Sequence, residues 1–418
     1  MFPEINNLKE KARRMLLYNF QKSGRLWIVS SWPHYPDKSL WDSCFHAMVC
    51  HELGLDWLAK NELWPFFNHQ HSNGFIPHAI FLSKKWANFS ERKYYLNPKR
   101  DSNYTCPPVF AQAFEWLGDK DFAQKYFDRM ADFMVYLFCK QDPDKDNLIS
   151  ICHPHECGRD SSPEFDKFFN LQFTPKAGWF KNQLAAIDRW KKIVNLDKEY
   201  RKVNWDIEKI WKLNLFNVED VMFNCIWVQE MRALARLDKH GARWISGLAD
   251  KVEKAIFAKM WDEQDKFFYS LDANNQMIKT PSISGLFPII LENIPKEMLD
   301  ALIAHLINPA EFWTPYPIAT VPANHPLFDP GKYTTSCCWR GPSWINMNWF
   351  IVKGLVFQAK RFKDPRYYGI AWRIAQKNIE MVSREGFWEF YNPFTGRGLR
   401  IPNFGWSTLV MTFPKLFL

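Results

Sequence analysis

Helical periodicity is the feature of this sequence that most restricts its fold. Residues 120–139 place apolar side chains at steps of three and four with charged residues between them, and residues 218–239 repeat this pattern. The second stretch follows Asn217, which is expected to cap the helix, and it ends before Gly241. Further helices are predicted at 4–21, 39–53, 55–70, 105–117, 176–194, 242–261, 296–307, 342–361, 365–383 and 403–412.

The predicted helices follow one another as antiparallel pairs. Gly54 and Gly118 each end a helix, and the next helix begins almost at once, which is typical of an αα-hairpin. The best strand signal lies at 266–278, where two short runs flank the turn pair Asn274-Asn275. Because strands and helices do not alternate, a Rossmann or TIM architecture is disfavoured. The sequence has no strict short repeat, so a closed toroid of helical hairpins is favoured over an open α-solenoid.

Two long regions interrupt the helical pattern. Residues 141–175 are rich in ionisable and turn-forming residues, and residues 309–342 contain seven prolines, which prevent a continuous helix. Long irregular loops inside a compact fold are uncommon and often functional. Both regions are therefore expected to form walls of an active site.

Composition and charge exclude several classes of protein. The net charge of +9 comes from 54 basic and 45 acidic residues that are interspersed, and no zinc-finger spacing or aromatic–basic signature accompanies them, so nucleic-acid binding is not expected. No apolar run approaches the roughly 20 residues that cross a bilayer. The charged N-terminal segment does not resemble a signal peptide, and nine scattered cysteines fit a reducing compartment. A cytoplasmic protein is expected.

The aromatic content of 17% suits carbohydrate binding, because sugar C–H bonds lie flat against aromatic faces.

Two candidate carboxylates stand in unusual surroundings. Asp160 lies in a turn rich in glycine and serine, although, taken alone, a simple cap of the helix or turn that begins at Pro163 explains it better. The preceding run 152–157 is dense in cysteine and histidine, yet no second Cys/His pair stands at a customary spacing, so no metal site is expected. Glu389 lies between aromatic residues, where desolvation raises a carboxyl pKa; its alternative role is a strand residue paired with Arg397 or Arg400.

Further candidates accompany these carboxylates. Arg340 lies between tryptophans and is expected to present its guanidinium at a binding surface, unless the segment simply starts a core helix at Pro342. Trp41 and Asp42 lie in the first turn of a predicted helix, where Asp42 either binds hydroxyls or complements the helix dipole. His78 stands in a separate loop, where a histidine is more often structural than catalytic.

Together these segments resemble one family, the bacterial mannosylglycerate and glucosylglycerate hydrolases of glycoside hydrolase family 63. WRGPSW at 339–344 resembles the family motif YWRGPxW, and GFWEFYNPFTGRG at 386–398 resembles the segment that supplies the general base. HPHECGRDSSP at 153–163 resembles HPWESGxDNSP, which supplies the general acid. The resemblance spans nearly the whole chain. It implies an all-α (α/α)6 toroid, forming one catalytic domain over residues 1–418 with loop insertions near 141–175 and 309–342.

The resemblance also implies an activity and a set of site residues. Asp160 becomes the general acid and Glu389 the general base of an enzyme that hydrolyses a small α-glycoside, or a short α-linked oligosaccharide, with inversion and without a cofactor. Gln112, Tyr94 and Tyr95 are candidates for contacting the aglycone. The other expected substrate-binding residues are Tyr35, Trp41, Asp42, His78, Trp339, Arg340 and Trp344.

Inversion places requirements on the two carboxyls. Asp160 must stay protonated, which needs burial or a negative neighbour such as Glu156, while Glu389 must be ionised about 6.5–9.5 Å away to leave room for a water molecule. Arg340 or Arg159 is a candidate to pair with a glycerate carboxylate; the alternative is a purely structural role for either arginine.

The chain departs from the family pattern around the acid, and two other functions remain open. His155 replaces a tryptophan, Cys157 a serine and Ser161 an asparagine. One alternative is a sugar epimerase on a similar toroid, with His78, His153 or His155 as acid and base. The other is a catalytically inactive toroid that binds sugar.

Overall fold

The computed structural model describes residues 2, 4–81, 101–174, 178–239, 241, 243–331 and 338–418. Its α-helices are α1 (Glu4–Ser23), α2 (Leu40–Glu52), α3 (Asp56–Leu63), α4 (Pro65–Asn68), α5 (Phe110–Leu117), α6 (Lys120–Lys140), α7 (Asp166–Phe169), α8 (Trp179–Lys202), α9 (Ile207–Leu213), α10 (Val221–Leu237), α11 (Arg243–Lys259), α12 (Lys296–Leu306), α13 (Ile345–Phe362), α14 (Pro365–Glu385) and α15 (Phe413–Leu416). Short 3-10 helices span Pro154–Cys157, Pro163–Phe165, Ile283–Ile290 and Gly405–Thr412.

The strands are short and antiparallel. They are β1 (Lys38–Ser39), β2 (Ala79–Ile80), β3 (Ser150–Ile151), β4 (Val218–Glu219), β5 (Trp261–Asp262), β6 (Phe267–Phe268), β7 (Leu271–Asp272), β8 (Trp388–Tyr391) and β9 (Gly398–Pro402). They pair as β1–β2, β3–β4–β7, β5–β6 and β8–β9. Each small sheet ties a loop to the helical framework.

Six segments form a closed inner ring. In order around the ring these are α2, α5, α10, the 3-10 helix Ile283–Ile290, α13 and the 3-10 helix Gly405–Thr412. Each packs on the next, and the last packs on α2. One outer helix pairs with each inner segment, namely α3, α6, α11, α12, α14 and α1 in the same order. The predicted all-α toroid of six helical hairpins is confirmed.

The burial pattern explains which segments lie inside. In α2 all residues from Leu40 to Cys50 are buried, and the 3-10 helix Ile283–Ile290 is buried throughout, as expected for segments covered on every side. Outer helices bury one stripe; α6 buries Phe127, Met130 and Met134 and exposes charges opposite them.

Most predicted helices are present, with corrections at their ends. α10 begins at Val221, and its cap is Asp220, whose side chain accepts a hydrogen bond from the Phe223 N–H; Asn217 is not the cap. The residues predicted to start this helix form β4 instead, because they pair with β3 and β7. The predicted helix 55–70 is divided at Pro65 into α3 and α4.

The ring also contains irregular elements that helical periodicity did not predict. The helix predicted at 403–412 is the 3-10 helix Gly405–Thr412, and the inner segment Ile283–Ile290 was not predicted at all. In the latter, Gly285 allows close packing, since a Cβ there would lie 2.2 Å from the Phe267 ring. In the predicted hairpin at 266–278, Leu271 does pair with Met277, but β7 forms its longer ladder with β4.

Two further observations concern membrane-spanning helices and the cysteines. Within the described ranges, no helix combines the length and the apolar character that crossing a membrane requires. The eight cysteines in this part of the chain are all free, and all except Cys139 are buried, as expected for cysteines used as small hydrophobic residues. Cys337 lies outside the described residues.

Candidate active site

A cavity of about 300 Å³ lies where several inner segments begin. Trp41 and Asp42 come from the first turn of α2, Trp344 immediately precedes α13, and Trp406 lies in the first turn of the last 3-10 helix. Helix N-termini carry partial positive charge and unpaired N–H groups, so this end of the ring favours an oxygen-rich ligand. The volume suits one small molecule.

The structure brings most of the predicted site residues together. Asp160 and Glu389 line the same cavity, although 229 positions separate them in sequence. Both irregular regions contribute to its wall, 141–175 through Asp160 and 309–342 through Trp339. Tyr94 and Tyr95 lie outside the described residues. The predicted substrate-binding residues that line the cavity are Tyr35, Trp41, Asp42, His78, Trp339 and Trp344.

Glu389 is held in β8 with one oxygen engaged and the other without a partner. The pairing of β8 with β9 shifts register between Trp388 and Phe390, on either side of Glu389. Its Oε1 accepts hydrogen bonds from the Tyr35 hydroxyl at 3.1 Å and from Arg400 Nη1 at 2.9 Å. Its buried Oε2 has no hydrogen-bond partner among the described residues. A buried oxygen of this kind indicates a polar ligand or an ordered water.

Burial raises the pKa of Glu389 to about 7. The Arg400 guanidinium and the Tyr35 hydrogen bond oppose this rise, while the nearby carboxyls of Asp160 and Asp42 add to it. Glu389 is therefore divided between its neutral and ionised forms at neutral pH, which is the range where a general base works best.

Asp160 lies in a tight loop against Trp41. The preceding Gly158 has φ +70°, and a Cβ on it would lie 2.4 Å from the Trp41 ring, so only glycine fits there. Asp160 Oδ2 lies 3.3 Å from Arg189 Nη2 and 3.4 Å from His155 Nε2. Arg189 also donates to the backbone carbonyl of Asp160. About one third of the Asp160 side chain is exposed.

The charge state of Asp160 differs from the sequence-based expectation. Burial acts to raise its pKa, but Arg189, His155 and Arg400 outweigh burial and hold the pKa below its usual range. Asp160 is therefore ionised in the free chain. Glu156, the expected negative neighbour, instead accepts hydrogen bonds from the Cys152 N–H at 2.7 Å and from Gln141 Nε2 at 3.1 Å, so it stabilises the loop.

Arg340 and Arg159 do not reach the cavity, which corrects their predicted role in binding. Arg340 is fully buried, pairs with both oxygens of Asp166, and stacks on Phe173 with its Cζ 4.2 Å from the ring centre. Arg159 is equally buried; its Nη1 donates to Glu164 Oε2 at 2.8 Å, and its Nη2 pairs with Asp220. Both arginines connect loops near the site to the framework.

Gln112 also lies away from the cavity. α5 turns its side chain towards α10 and α13, where its Oε1 accepts a hydrogen bond from Lys353 Nζ at 2.7 Å and its Nε2 lies 3.4 Å from Glu230. Gln112 and Lys353 line a separate cavity of about 270 Å³. The predicted aglycone contact by Gln112 is therefore not found in this structure.

Aromatic rings form much of the cavity wall. Trp339 and Trp344 stack in parallel with their centres 3.6 Å apart, and Trp406 meets Trp344 edge-on at 5.3 Å. Asp42 lies among these rings, and its Oδ1 is buried without a hydrogen-bond partner in the described part of the chain. Flat ring faces beside an unpaired carboxyl oxygen suit the C–H and O–H groups of a sugar.

Sequence reasoning missed the cations and several lining residues. Arg400 was noted only as a possible ion-pair partner of Glu389, and Arg189 is one of many basic residues on α8. Tyr104 contacts His155 from a segment without any motif. None of these has a local sequence signal, because each acts through a contact that only the folded ring creates.

Two carboxyls in different electrostatic settings, inside an aromatic cavity of a helical toroid, are the arrangement expected of a toroidal glycoside hydrolase. The family model described as "Mannosylglycerate hydrolase MGH1-like glycoside hydrolase domain" matches residues 35–407. The chain therefore belongs to this family.

Individual relatives agree with this assignment. The chain is 28% identical to the mannosylglycerate hydrolase of Thermus thermophilus, covering 91% of this chain and 94% of the relative. It is 23% identical to the glucosylglycerate hydrolase of Mycolicibacterium hassiacum, covering 89% and 90%. A crystal structure of the family 63 mannosylglycerate hydrolase from Thermus thermophilus, in complex with Tris and D-glycerate, superposes with a TM-score of 0.83 at 27% identity, covering 98% and 100%. The chain is a glycoside hydrolase that acts on small glycosides.

The buried ion pair of Arg340 is expected to support the site through stability. Arg340→Met is expected to lower the free energy of unfolding by about 3–5 kcal/mol, because it leaves Asp166 without its partner in a largely buried position. Arg366→Met is the matched control, since Arg366 pairs with Asp364 on the surface and its loss should barely move the urea midpoint. Tryptophan fluorescence during urea unfolding measures both. Equal midpoints for the two variants would contradict the structural role of Arg340.

Proposed function

We propose that this chain hydrolyses an α-linked glycoside of glycerate, a mannosylglycerate or a glucosylglycerate, with inversion of the anomeric centre. Asp160 acts as the general acid and Glu389 as the general base. The observation that carries this proposal is that both carboxyls line one cavity while Glu389 keeps one oxygen without a partner among the described residues. The names of the relatives supply the substrate class.

Glu389 is suited to activate water. Tyr35 and Arg400 fix its Oε1, so the second oxygen keeps a constant direction and can accept a proton from a bound water. As that proton moves to Glu389, the water oxygen attacks the anomeric carbon on the face opposite the leaving group. With a pKa of about 7, a substantial fraction of Glu389 is ionised at neutral pH, and this fraction acts as the base.

Asp160 is suited to protonate the leaving oxygen once it carries a proton. Its carboxyl is partly exposed to the cavity, and it is fixed by Arg189 through both side-chain and backbone contacts. In the free chain its neighbours keep it ionised, so each turnover requires a proton from a nearby donor. The donated proton converts the glycerate oxygen into a neutral leaving group as the C–O bond breaks.

The remaining lining residues are assigned to the sugar. Trp339 is assigned to its C–H groups, with Trp344 stacked behind it, and Trp41 packs behind the loop of the acid. The unpaired Oδ1 of Asp42 is placed to accept from a sugar hydroxyl, and His78 offers a further polar contact at the wall.

The cationic residues beside Asp160 are assigned to bind the glycerate carboxylate. A second cavity of about 410 Å³ adjoins the first and shares His155, Asp160 and Arg400 with it. Arg189 and Gln183 from α8 complete its polar lining. A leaving group bound there stands next to the acid, as protonation requires. The Thermus structure with D-glycerate supports an aglycone of this size and charge.

The wider setting is part of the same proposal. We propose that residues 1–418 work as one catalytic domain, because the ring closes between the first and last inner segments. Catalysis needs no metal or organic cofactor, since the two carboxyls supply the acid and the base. The free buried cysteines support a reducing compartment such as the cytoplasm.

The geometry favours hydrolysis over the epimerase alternative. His78 and His155 do line the cavity, but two carboxyls line it with them. His153 is fully buried behind Tyr104, and its Nε2 lies 3.2 Å from Asp197 Oδ1, so it does not face the substrate.

Product stereochemistry tests the proposal and also tests the inactive-toroid alternative. Native chain incubated with α-mannosylglycerate or α-glucosylglycerate is expected to release the β-anomer first, as followed by proton NMR. Asp160→Asn and Glu389→Gln are each expected to lower kcat by about 10²- to 10⁴-fold, because each removes one proton-transfer group. His51→Gln, a surface histidine paired with Asp56, is the control and should keep native activity. Release of the α-anomer, or full activity in either carboxyl variant, would refute the assignment.

The pH profile of kcat/KM tests the role of Glu389 as a base. The native profile is expected to rise with pH through about 7, because Glu389 works only when ionised. Tyr35→Phe removes a hydrogen bond that favours the ionised form, so the acidic limb should move to higher pH. Initial rates between about pH 5 and 9 measure this. A limb that stays in place or moves to lower pH would argue against Glu389 as the titrating base.

A further inference from the structure

We infer that His155 stores the proton that Asp160 delivers to the leaving oxygen, so that Tyr104, His155 and Asp160 form a proton relay. This inference rests on the proposed role of Asp160 as the acid. His155 acts through Asp160 and is a positioning and proton-supplying residue.

Two contacts define the relay. The Tyr104 hydroxyl lies 2.9 Å from His155 Nδ1, and His155 Nε2 lies 3.4 Å from Asp160 Oδ2. In the protonated imidazole both ring nitrogens carry hydrogen, so Nδ1 donates to the tyrosine hydroxyl oxygen and Nε2 faces the Asp160 carboxylate. Transfer of the Nε2 proton to Asp160 leaves a neutral imidazole whose remaining hydrogen stays on Nδ1.

Packing fixes the imidazole in this orientation. Tyr104 is fully buried and lies between two histidines, with the His153 ring stacked at 4.5 Å and the His78 ring at 5.3 Å. The backbone N–H of His155 donates to His153 Nδ1 at 3.2 Å, which anchors the loop. A proton-transfer group held by its neighbours needs little reorganisation during reaction.

The surrounding charges explain why the acid needs a proton donor. Arg189 from α8 and Arg400 from β9 face Asp160 and favour its ionised form. Asp197 from α8 faces the histidine pair, and Glu389 from β8 lies across the cavity. Beside two guanidinium groups, Asp160 alone seldom holds a proton at neutral pH. An imidazole beside Asp160 can carry that proton on Nε2 and release it towards the carboxylate.

The proton balance of one turnover is as follows. Protonated His155 gives its Nε2 proton to the ionised Asp160, and Asp160 passes that proton to the glycosidic oxygen as the C–O bond breaks, so Asp160 is again ionised and His155 is neutral. The attacking water gives its proton to Glu389 and its oxygen to the anomeric carbon. Glu389 then returns its proton to solvent, and His155 regains one from solvent, which restores the starting state.

Comparing substrates with different leaving groups shows whether His155 supplies a proton or only supports the structure. His155→Gln is expected to lower kcat/KM for the glycerate glycoside by about 10²-fold, because its leaving oxygen needs protonation. With α-mannosyl or α-glucosyl fluoride, whose leaving group depends little on an acid, the variant should stay within about threefold of native. The alkaline limb of the pH profile should move to lower pH, because the acid proton must then be held by Asp160 itself, whose pKa Arg189 and Arg400 hold below its usual range. An equal loss on glycoside and fluoride would show a structural role and overturn the inference.

Two further variants keep the test decisive. Tyr104→Phe retains the stacked ring but removes the hydroxyl beside Nδ1, so it should shift the alkaline limb in the same direction by a smaller amount. This measurement stands in for His155→Gln if that variant does not fold. His51→Gln should change neither substrate's rate. If the native chain hydrolyses neither glycoside nor fluoride, the proposed function fails; if it hydrolyses both and the His155 and Tyr104 variants match it, the relay alone fails.

Discussion

Closure of the ring between its first and last inner segments is the constraint on which the site depends. Gly405 packs directly against His46 of α2, and a Cβ at Gly405 would lie 1.9 Å from His46 Nε2. His46 in turn contacts Glu62, which also receives Lys38, so a buried polar cluster supports the seam. Because the ends of the chain meet here, the Tyr35 hydroxyl reaches Glu389, 354 residues later, and a cavity wall is formed from both ends.

Within that frame, the balance of charge distinguishes the two carboxyls. Each has a guanidinium beside it, Arg400 for Glu389 and Arg189 for Asp160. Glu389 is the more deeply buried of the two, and desolvation raises its pKa despite its partner. At Asp160, burial also acts to raise the pKa, but Arg189, His155 and Arg400 together outweigh it, so the pKa falls. This arrangement lets Glu389 act as a base without further change. Asp160, in contrast, needs a proton from a neighbouring residue before it can act as the acid.

The sequence predicted the helical hairpins well, because amphipathic outer helices such as α6 carry a clear period of apolar residues. It did not predict the inner 3-10 helix Ile283–Ile290, because a run that is apolar throughout and interrupted by Pro288 has no polar face to reveal a period. Motif resemblance selected Asp160 and Glu389 as the acid and the base, and in the structure both line one cavity. It misassigned Arg340 because a lone arginine between tryptophans looks the same in sequence whether it faces a ligand or a buried carboxylate. The ionised state of Asp160 could not be predicted, since Arg189 reaches it only through the packing of α8.

A crystal structure of the Asp160→Asn variant with an uncleaved glycerate glycoside tests the central claim most directly. The account predicts that the glycosidic oxygen lies within hydrogen-bond distance of residue 160. A water molecule should lie between Glu389 and the opposite face of the anomeric carbon, with the two side-chain groups about 6.5–9.5 Å apart. A glycoside bound outside this cavity, or one with both side chains on the same face of the sugar ring, would contradict it.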